Sequence, residues 1–201
     1  MIKLGVLLSG SGTNLQAVID AIKAGELNAE IALVLASKPE AYGLVRAQEA
    51  GIPTVAMNRE DYEDRIKADV SIAQKLQEAD VDYVLMAGYM RMINHPILDA
   101  FPDRVINLHP SLLPAFKGAH GISDAFNSGV KITGVTVHFA NEEYDKGPII
   151  AQRAVEIAEG ETLESLEEKI HIIEHQLLPE TLQLIATGRV SIDSSRRVRI
   201  A

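Results

Sequence analysis

The chain has 201 residues and 47% hydrophobic content, enough for a substantial core and about one domain. Its 28 acidic against 19 basic residues give a net charge of −9, a poor balance for gripping a nucleic-acid backbone, which needs clustered Lys and Arg. With no cysteine, disulfides, thiolate catalysis and Cys-built zinc sites are excluded. No apolar run approaches the roughly 20 residues of a membrane span. Met1 leads at once into strand-like sequence with no signal peptide, so a cytoplasmic protein is expected.

In chain order, "KLGVLLS" (Lys3–Ser9), "EIALVLAS" (Glu30–Ser37) and "YVLMAG" (Tyr83–Gly88) are nearly continuous apolar runs, the pattern of strands covered on both faces. Shorter strands are expected at Thr54–Asn58 and Val105–His109. Helical patterns lie between them, at Asn14–Ala24, Tyr42–Ala50, Glu60–Ala79 and Ile93–Ala100, with Gly25 and Gly51 at C-cap positions. This alternation predicts an α/β fold with a mostly parallel sheet, right-handed crossovers and helices on both faces. After Gly118 the rhythm changes: Gly134–Phe139 alternates by two and Ile149–Ile157 follows across a loop, which reads as a hairpin-like extension. Thr162 and Ser165 then open a long helix from Leu163 to about Thr187. Arg196, Arg197 and Arg199 read as a solvated tail. No repeat, low-complexity segment or linker divides residues 1–201, so a single domain is expected.

Three stretches carry candidate chemistry. In "LLSGSGTNLQA" a strand meets a helix through a glycine-rich turn. Gly10 and Gly12 permit positive φ, the amides of Gly12, Thr13 and Asn14 sit at a helix N-terminus that favours an anion, and Thr13 or Asn14 can cap it. Neither a dinucleotide fingerprint nor a P-loop is present, so a single phosphate monoester is the expected ligand, with an unliganded tight turn as the alternative. In "NLHPSLLPAFKG", Asn107 and His109 are two apart on a strand and face one side, and Pro110 and Pro114 then turn the chain into a rigid loop. Taken alone, such a strand end is a polar cap as readily as a site. In "GVTVHFANEEYDKGPII", Asp145 sits in a shaped loop and would hold a neighbouring imidazole in its charged form. An amide donor beside an imidazolium suits an oxyanion growing on an acyl carbon. Ser111 lacks a nucleophile elbow, so direct transfer without an acyl-enzyme fits better. Among the other histidines, His95 reads as a surface helix start and His138 as a satisfied structural residue, with burial beside the site as its alternative, while His120 stays open as a pocket wall. His171 and His175 are i, i+4 without the H-E-x-x-H order, so no metal is expected.

With these pieces in place, the chain resembles the phosphoribosylglycinamide formyltransferases of purine synthesis that use 10-formyltetrahydrofolate. The likeness rests on "SGSGTNLQAVIDA", "VDYVLMAGYMRMI", "INLHPSLLPAFKG", "GVTVHFANEEYDKGPIIAQ" and "IIEHQLLP", in the family's order. It implies a Rossmann-like formyltransferase fold with about seven strands. It implies Asn107, His109 and Asp145 as the catalytic set, and Gly12, Thr13, Asn14 and Glu174 as the holders of the phosphoribosylglycinamide. His171 stands one helical turn before Glu174 where relatives have Gln or Lys, and is expected to reach the same phosphate. The folate, as co-substrate, is implied to lie against Met90, Arg91, Met92 and Ile93, the loop from Ala140 to Asp145 (Ala140, Asn141 and Glu142 above all), Asn107, and Arg59. The small and polar "AHGISD" after Gly118 departs from the family's pocket wall. Small-molecule substrates are the expected partners, with no nucleic acid and no membrane; a homodimer stays open. A formyltetrahydrofolate hydrolase shares the Asn, His and Asp, but relatives of that kind carry a second His where Pro110 stands. A methionyl-tRNA formyltransferase would need a basic RNA-binding domain. A bare phosphate-binding module would leave Asn107, His109 and Asp145 without a role.

Overall fold

The computed structural model describes residues 1–201. Its centre is a seven-stranded sheet of order β3-β2-β1-β4-β5-β6-β7. The strands are β1 (Ile2–Leu8), β2 (Ala29–Ala36), β3 (Thr54–Ala56), β4 (Tyr83–Met86), β5 (Val105–His109), β6 (Ile132–Phe139) and β7 (Ile149–Glu156). Only β6 runs against the rest, pairing antiparallel with both β5 and β7. The expected α/β sheet, its strand count and its hairpin extension are therefore present.

The apolar runs are strands because both of their faces are buried. Leu4, Val6 and Leu8 of β1 face one side, under α1 (Thr13–Lys23), α2 (Tyr42–Glu49) and α6 (Leu163–Ala186). Leu7 faces the other side, under α3 (Arg65–Glu78) and α4 (His95–Ala100). Gly5 sits between β1 and α3 so closely that a Cβ there would lie 2.4 Å from the Leu76 side chain. At fully buried positions such as Leu4, Leu85 and Ile106, truncation to alanine typically costs about 2–5 kcal/mol.

Four expectations are corrected. The helix expected over Glu60–Ala79 is broken: a 3-10 turn covers Glu60–Tyr62, and α3 starts afresh where Asp64 accepts the N–H groups of Ile66 and Lys67, both at 3.1 Å. An unexpected short helix, α5 (Gly121–Asn127), follows the proline loop. Gly12 in left-handed conformation (φ 71°) is the N-cap of α1, in place of Thr13 or Asn14. The basic C-terminus is not a free tail. It forms a hairpin of β8 (Val190–Ile192) and β9 (Val198–Ile200), where Arg196 makes a two-pronged bond to Asp103 (2.8 and 2.6 Å) and Arg199 meets Asp193 at 2.9 Å.

Candidate active site

In open α/β sheets ligands gather beyond the carboxyl ends of the strands, at the point where strand order reverses. Here that point lies between β1 and β4, whose extensions stay joined by a Ser9 N–H bond to the Gly88 carbonyl. A cleft opens there, lined by Ser9 to Asn14, Lys38, the turn from Ala87 to Met90, Asn107 to Pro110, Gly118, Tyr144, His171 and Glu174. Five residues expected to hold a sugar phosphate (Gly12, Thr13, Asn14, His171 and Glu174) are thus brought together, although they come from opposite ends of the chain. The first turn of α1 leaves its N–H groups without intrahelical acceptors, since Gln16 is the first to bond back, to the Gly12 carbonyl. The Arg46 Nε–H braces the turn by donating to the Ser11 carbonyl at 2.8 Å.

The far wall of this cleft is polar, from the exposed His171 down to the buried Glu174. Glu174, on α6, accepts from His171 Nδ1 at 2.9 Å and from Asn14 Nδ2 at 3.2 Å, both through Oε2. The Asn14 Oδ1 atom is buried with no protein partner. The hydrogen bond to Glu174 raises the His171 pKa above its ordinary 6.5, against the opposing pull of burial. His175, one turn further on, is pushed the other way, chiefly by burial.

At the end of β5 the strand pleat puts Asn107 and His109 on one side, as their spacing predicts. His109 is buried, with Nδ1 3.5 Å from Asp145 Oδ2 and Nε2 donating to the Phe116 carbonyl at 2.8 Å. Ser111 is fully buried and its hydroxyl donates to the Ala115 carbonyl at 2.7 Å, so it is spent on the loop and is no nucleophile. Asp145 adopts positive φ (51°), which aims its carboxylate back at the strands; Oδ2 accepts the Gly118 N–H at 2.9 Å and Oδ1 the Asn107 amide at 3.3 Å. Gly147 is needed for this loop to close, because a Cβ there would lie 1.7 Å from the Phe139 carbonyl oxygen. Burial alone would raise the Asp145 pKa; the Gly118 N–H and the charge that His109 can carry outweigh it and hold the carboxyl below its usual range.

A second pocket lies on the other side of Asn107. Met86, Met92, Ile93, His138, Ala140, Asn141, Glu143, Tyr144 and Asp145 line it with Asn107 itself. Of the expected folate contacts, Met92, Ile93, Asn107, Ala140 and Asn141 are here, with Glu143, Tyr144 and Asp145 of the same loop, while Glu142 is not in the wall. Met90 and Arg91 flank an adjoining depression with Tyr62, and Arg59 shares a further one with Arg91, whose guanidinium stacks 3.5 Å from the Tyr62 ring centroid. His120 is exposed and lines neither pocket. The small residue after it has a reason: a Cβ on Gly121 would come within 3.2 Å of His109 Nε2, so glycine lets α5 pack against the histidine. Sequence reasoning missed Lys38, the reach of Tyr144 into the first cleft, and the pairing of His138 with Asn107.

Two open pockets meeting at a half-buried Asn beside a buried His–Asp pair are the layout of an enzyme that brings two small molecules together. Residues 2–182 match the formyl transferase family, and the chain belongs to it. It is 40% identical over 183 residues to the phosphoribosylglycinamide formyltransferase of Bacillus subtilis, covering 91% of this chain and 94% of that one. It is 39% identical over 196 residues to the human trifunctional purine biosynthetic protein adenosine-3, of which it spans only 19%. Among solved structures, glycinamide ribonucleotide transformylase 1 of Symbiobacterium toebii superposes with a TM-score of 0.96 at 47% identity, covering 100% of this chain and 94% of the other.

Proposed function

We propose that residues 1–201 form a single-domain phosphoribosylglycinamide formyltransferase that takes its formyl group from 10-formyltetrahydrofolate. One observation carries the reading: Asn107 and Tyr144 belong to both pockets, so an amine held in one and a formyl group held in the other would meet at Asn107. The N-terminus of α1, Lys38 and His171 supply the positive potential for the phosphate. Glu174, with Oε1 free of protein donors, and the unpartnered Asn14 Oδ1 offer acceptors for sugar hydroxyls. The pterin would rest against Met92, Ile93, Ala140 and Asn141, with Arg91 and Arg59 in the adjoining depressions toward the folate's anionic glutamate end.

In this reading the glycinamide amine attacks the formyl carbon, a C–N bond forms, and the carbonyl oxygen takes up the negative charge. Asn107 and His109 donate to that oxygen. Both are engaged with protein acceptors at rest, so each exchanges a contact on binding: His109 its bond to Phe116, Asn107 its long bond to Asp145. Collapse of the tetrahedral centre restores the carbonyl and breaks its bond to the folate nitrogen. The proton lost by the amine passes to that nitrogen, through a water ordered by Asp145. No covalent enzyme intermediate is required.

Transfer should depend on both substrates. Tetrahydrofolate release from 10-formyltetrahydrofolate is expected to be negligible until phosphoribosylglycinamide is added. Equal release without it would mean a hydrolase.

His171 gives a pH signature. Its raised pKa means the cation persists above pH 6.5 and is lost as pH rises through the shifted value. Glu167, Glu174 and His175 are the ionisable groups acting on it. Since the substrate phosphate titrates too, at about pH 6, the informative quantity is the ratio of kcat/KM between wild type and His171→Gln. That ratio should fall as pH is raised above about 6.5. A flat ratio near one would remove His171 from the phosphate site.

A further inference from the structure

His138 is 1% exposed on β6, in register with Asn107 on β5, and the reaction assigned above gives it no role. Its Nδ1 lies 2.9 Å from the Phe139 carbonyl oxygen, which can only accept, so Nδ1 carries a hydrogen. Its Nε2 lies 3.1 Å from Asn107 Nδ2. The orientation of that amide is fixed independently by Asp145, whose Oδ1 stands 3.3 Å from Nδ2 and would repel the amide oxygen. The amide nitrogen therefore faces both neighbours with its two hydrogens. His138 Nε2 must then be a bare lone pair, which makes the ring the neutral Nδ1–H tautomer. Asp145 Oδ1, at 3.7 Å from Nε2, is beyond hydrogen-bond reach and does not compete.

We propose that His138 is a positioning residue for Asn107: its Nε2 lone pair pins one amide hydrogen, so that the second is presented to the reacting formyl oxygen. The proposal rests on the formyl-transfer reading and adds a division of labour to it. The hydrogen held by His138 at 3.1 Å is anchored to a ring that is itself anchored to backbone. The hydrogen facing Asp145 at 3.3 Å has the longer bond and is the one free to move to substrate. Without the lone pair the amide is free to rotate, and its oxygen can face the growing negative charge.

The test compares His138→Phe, which keeps a buried ring but no acceptor, with His138→Gln, whose side-chain oxygen can stand near the Nε2 position. His138→Phe should lower kcat about tenfold or more, as the loss of an aligned donor does, with little change in either KM. His138→Gln should recover most of that loss. In an Asn107→Ala background the Phe substitution should cost little further, because His138 acts through Asn107. Nitrogen-15 NMR of the resting wild type should show Nδ1 protonated and Nε2 bare at neutral pH. Wild-type kcat in His138→Phe, a Gln variant as impaired as the Phe variant, a full additional loss on top of Asn107→Ala, or a protonated Nε2 would each overturn the proposal. The NMR reading needs no turnover, so absence of formyl transfer in the wild type would overturn the assigned reaction and leave the His138–Asn107 pairing to be judged separately.

Discussion

Alanine at Asn107, His109 or Asp145 is expected to lower kcat by about a hundredfold or more in each case, the scale typical for an oxyanion donor. The geometry also predicts how the losses combine. Asp145 touches both partners, through Oδ1 to the Asn107 amide and through Oδ2 toward His109 Nδ1. Removing it releases one hydrogen of Asn107 and takes away the counter-charge beside His109 in a single step. Double variants should therefore lose less than the product of the singles, measured as kcat at saturating concentrations of both substrates. Asp145→Ala also frees the Gly118 N–H, so a folding control by circular dichroism belongs with it. Strictly multiplicative losses would show that the three do not act as one unit. Wild-type kcat in His109→Ala would end the mechanism.

The carboxylate also links the site to pH. Its pKa is lowered in the folded protein, so the stabilisation it contributes is present above the ordinary carboxylate value. That contribution is lost as pH falls through the lowered value.

Much of this site could be read before the structure because its parts announce themselves locally. Strands such as Glu30–Ser37 are buried on both faces, so their apolar runs are unbroken. The two-residue spacing of Asn107 and His109 translates directly into a shared face. The misses have a different character. His138 stands in an alternating strand, and nothing local says that antiparallel register with β5 will set it opposite Asn107. Lys38 and Tyr144 reach the cleft only because the ends of β2 and of the Asp145 loop converge there. The glycine at 121 looked like a weakened wall and is instead the contact that admits α5 to His109. The break at Asp64 had a local signal, an N-cap residue inside a helical pattern, that the longer periodicity overrode.

Gly12→Val is expected to raise KM for phosphoribosylglycinamide strongly and to leave folate affinity nearly unchanged. The conflict a side chain would meet here is with the fold itself. A Cβ on Gly12 would point at α2 and lie 2.6 Å from Gly43 Cα, a backbone atom that cannot rotate away. The residue also holds φ at 71°, where a non-glycine residue costs about 1–2 kcal/mol. Relief of both strains shifts the turn and misaims the N–H groups at the start of α1. A hydrogen bond to a charged group contributes about 1.5–3 kcal/mol, so losing one N–H to the phosphate raises KM about tenfold to a hundredfold. The strain should also lower Tm by about 2–4 °C per kcal/mol for a chain of this size. Gly12→Ala separates the two effects, since it keeps the φ penalty and the first clash but lacks the branched methyls. It should show a smaller Tm loss and an intermediate KM. Folate binding, measured by fluorescence on the folded fraction, should hold in both variants, because Met92, Ile93, Ala140 and Asn141 lie in the other pocket. If folate affinity falls while the sugar-phosphate KM holds, the first turn serves the folate and the cradle is misassigned.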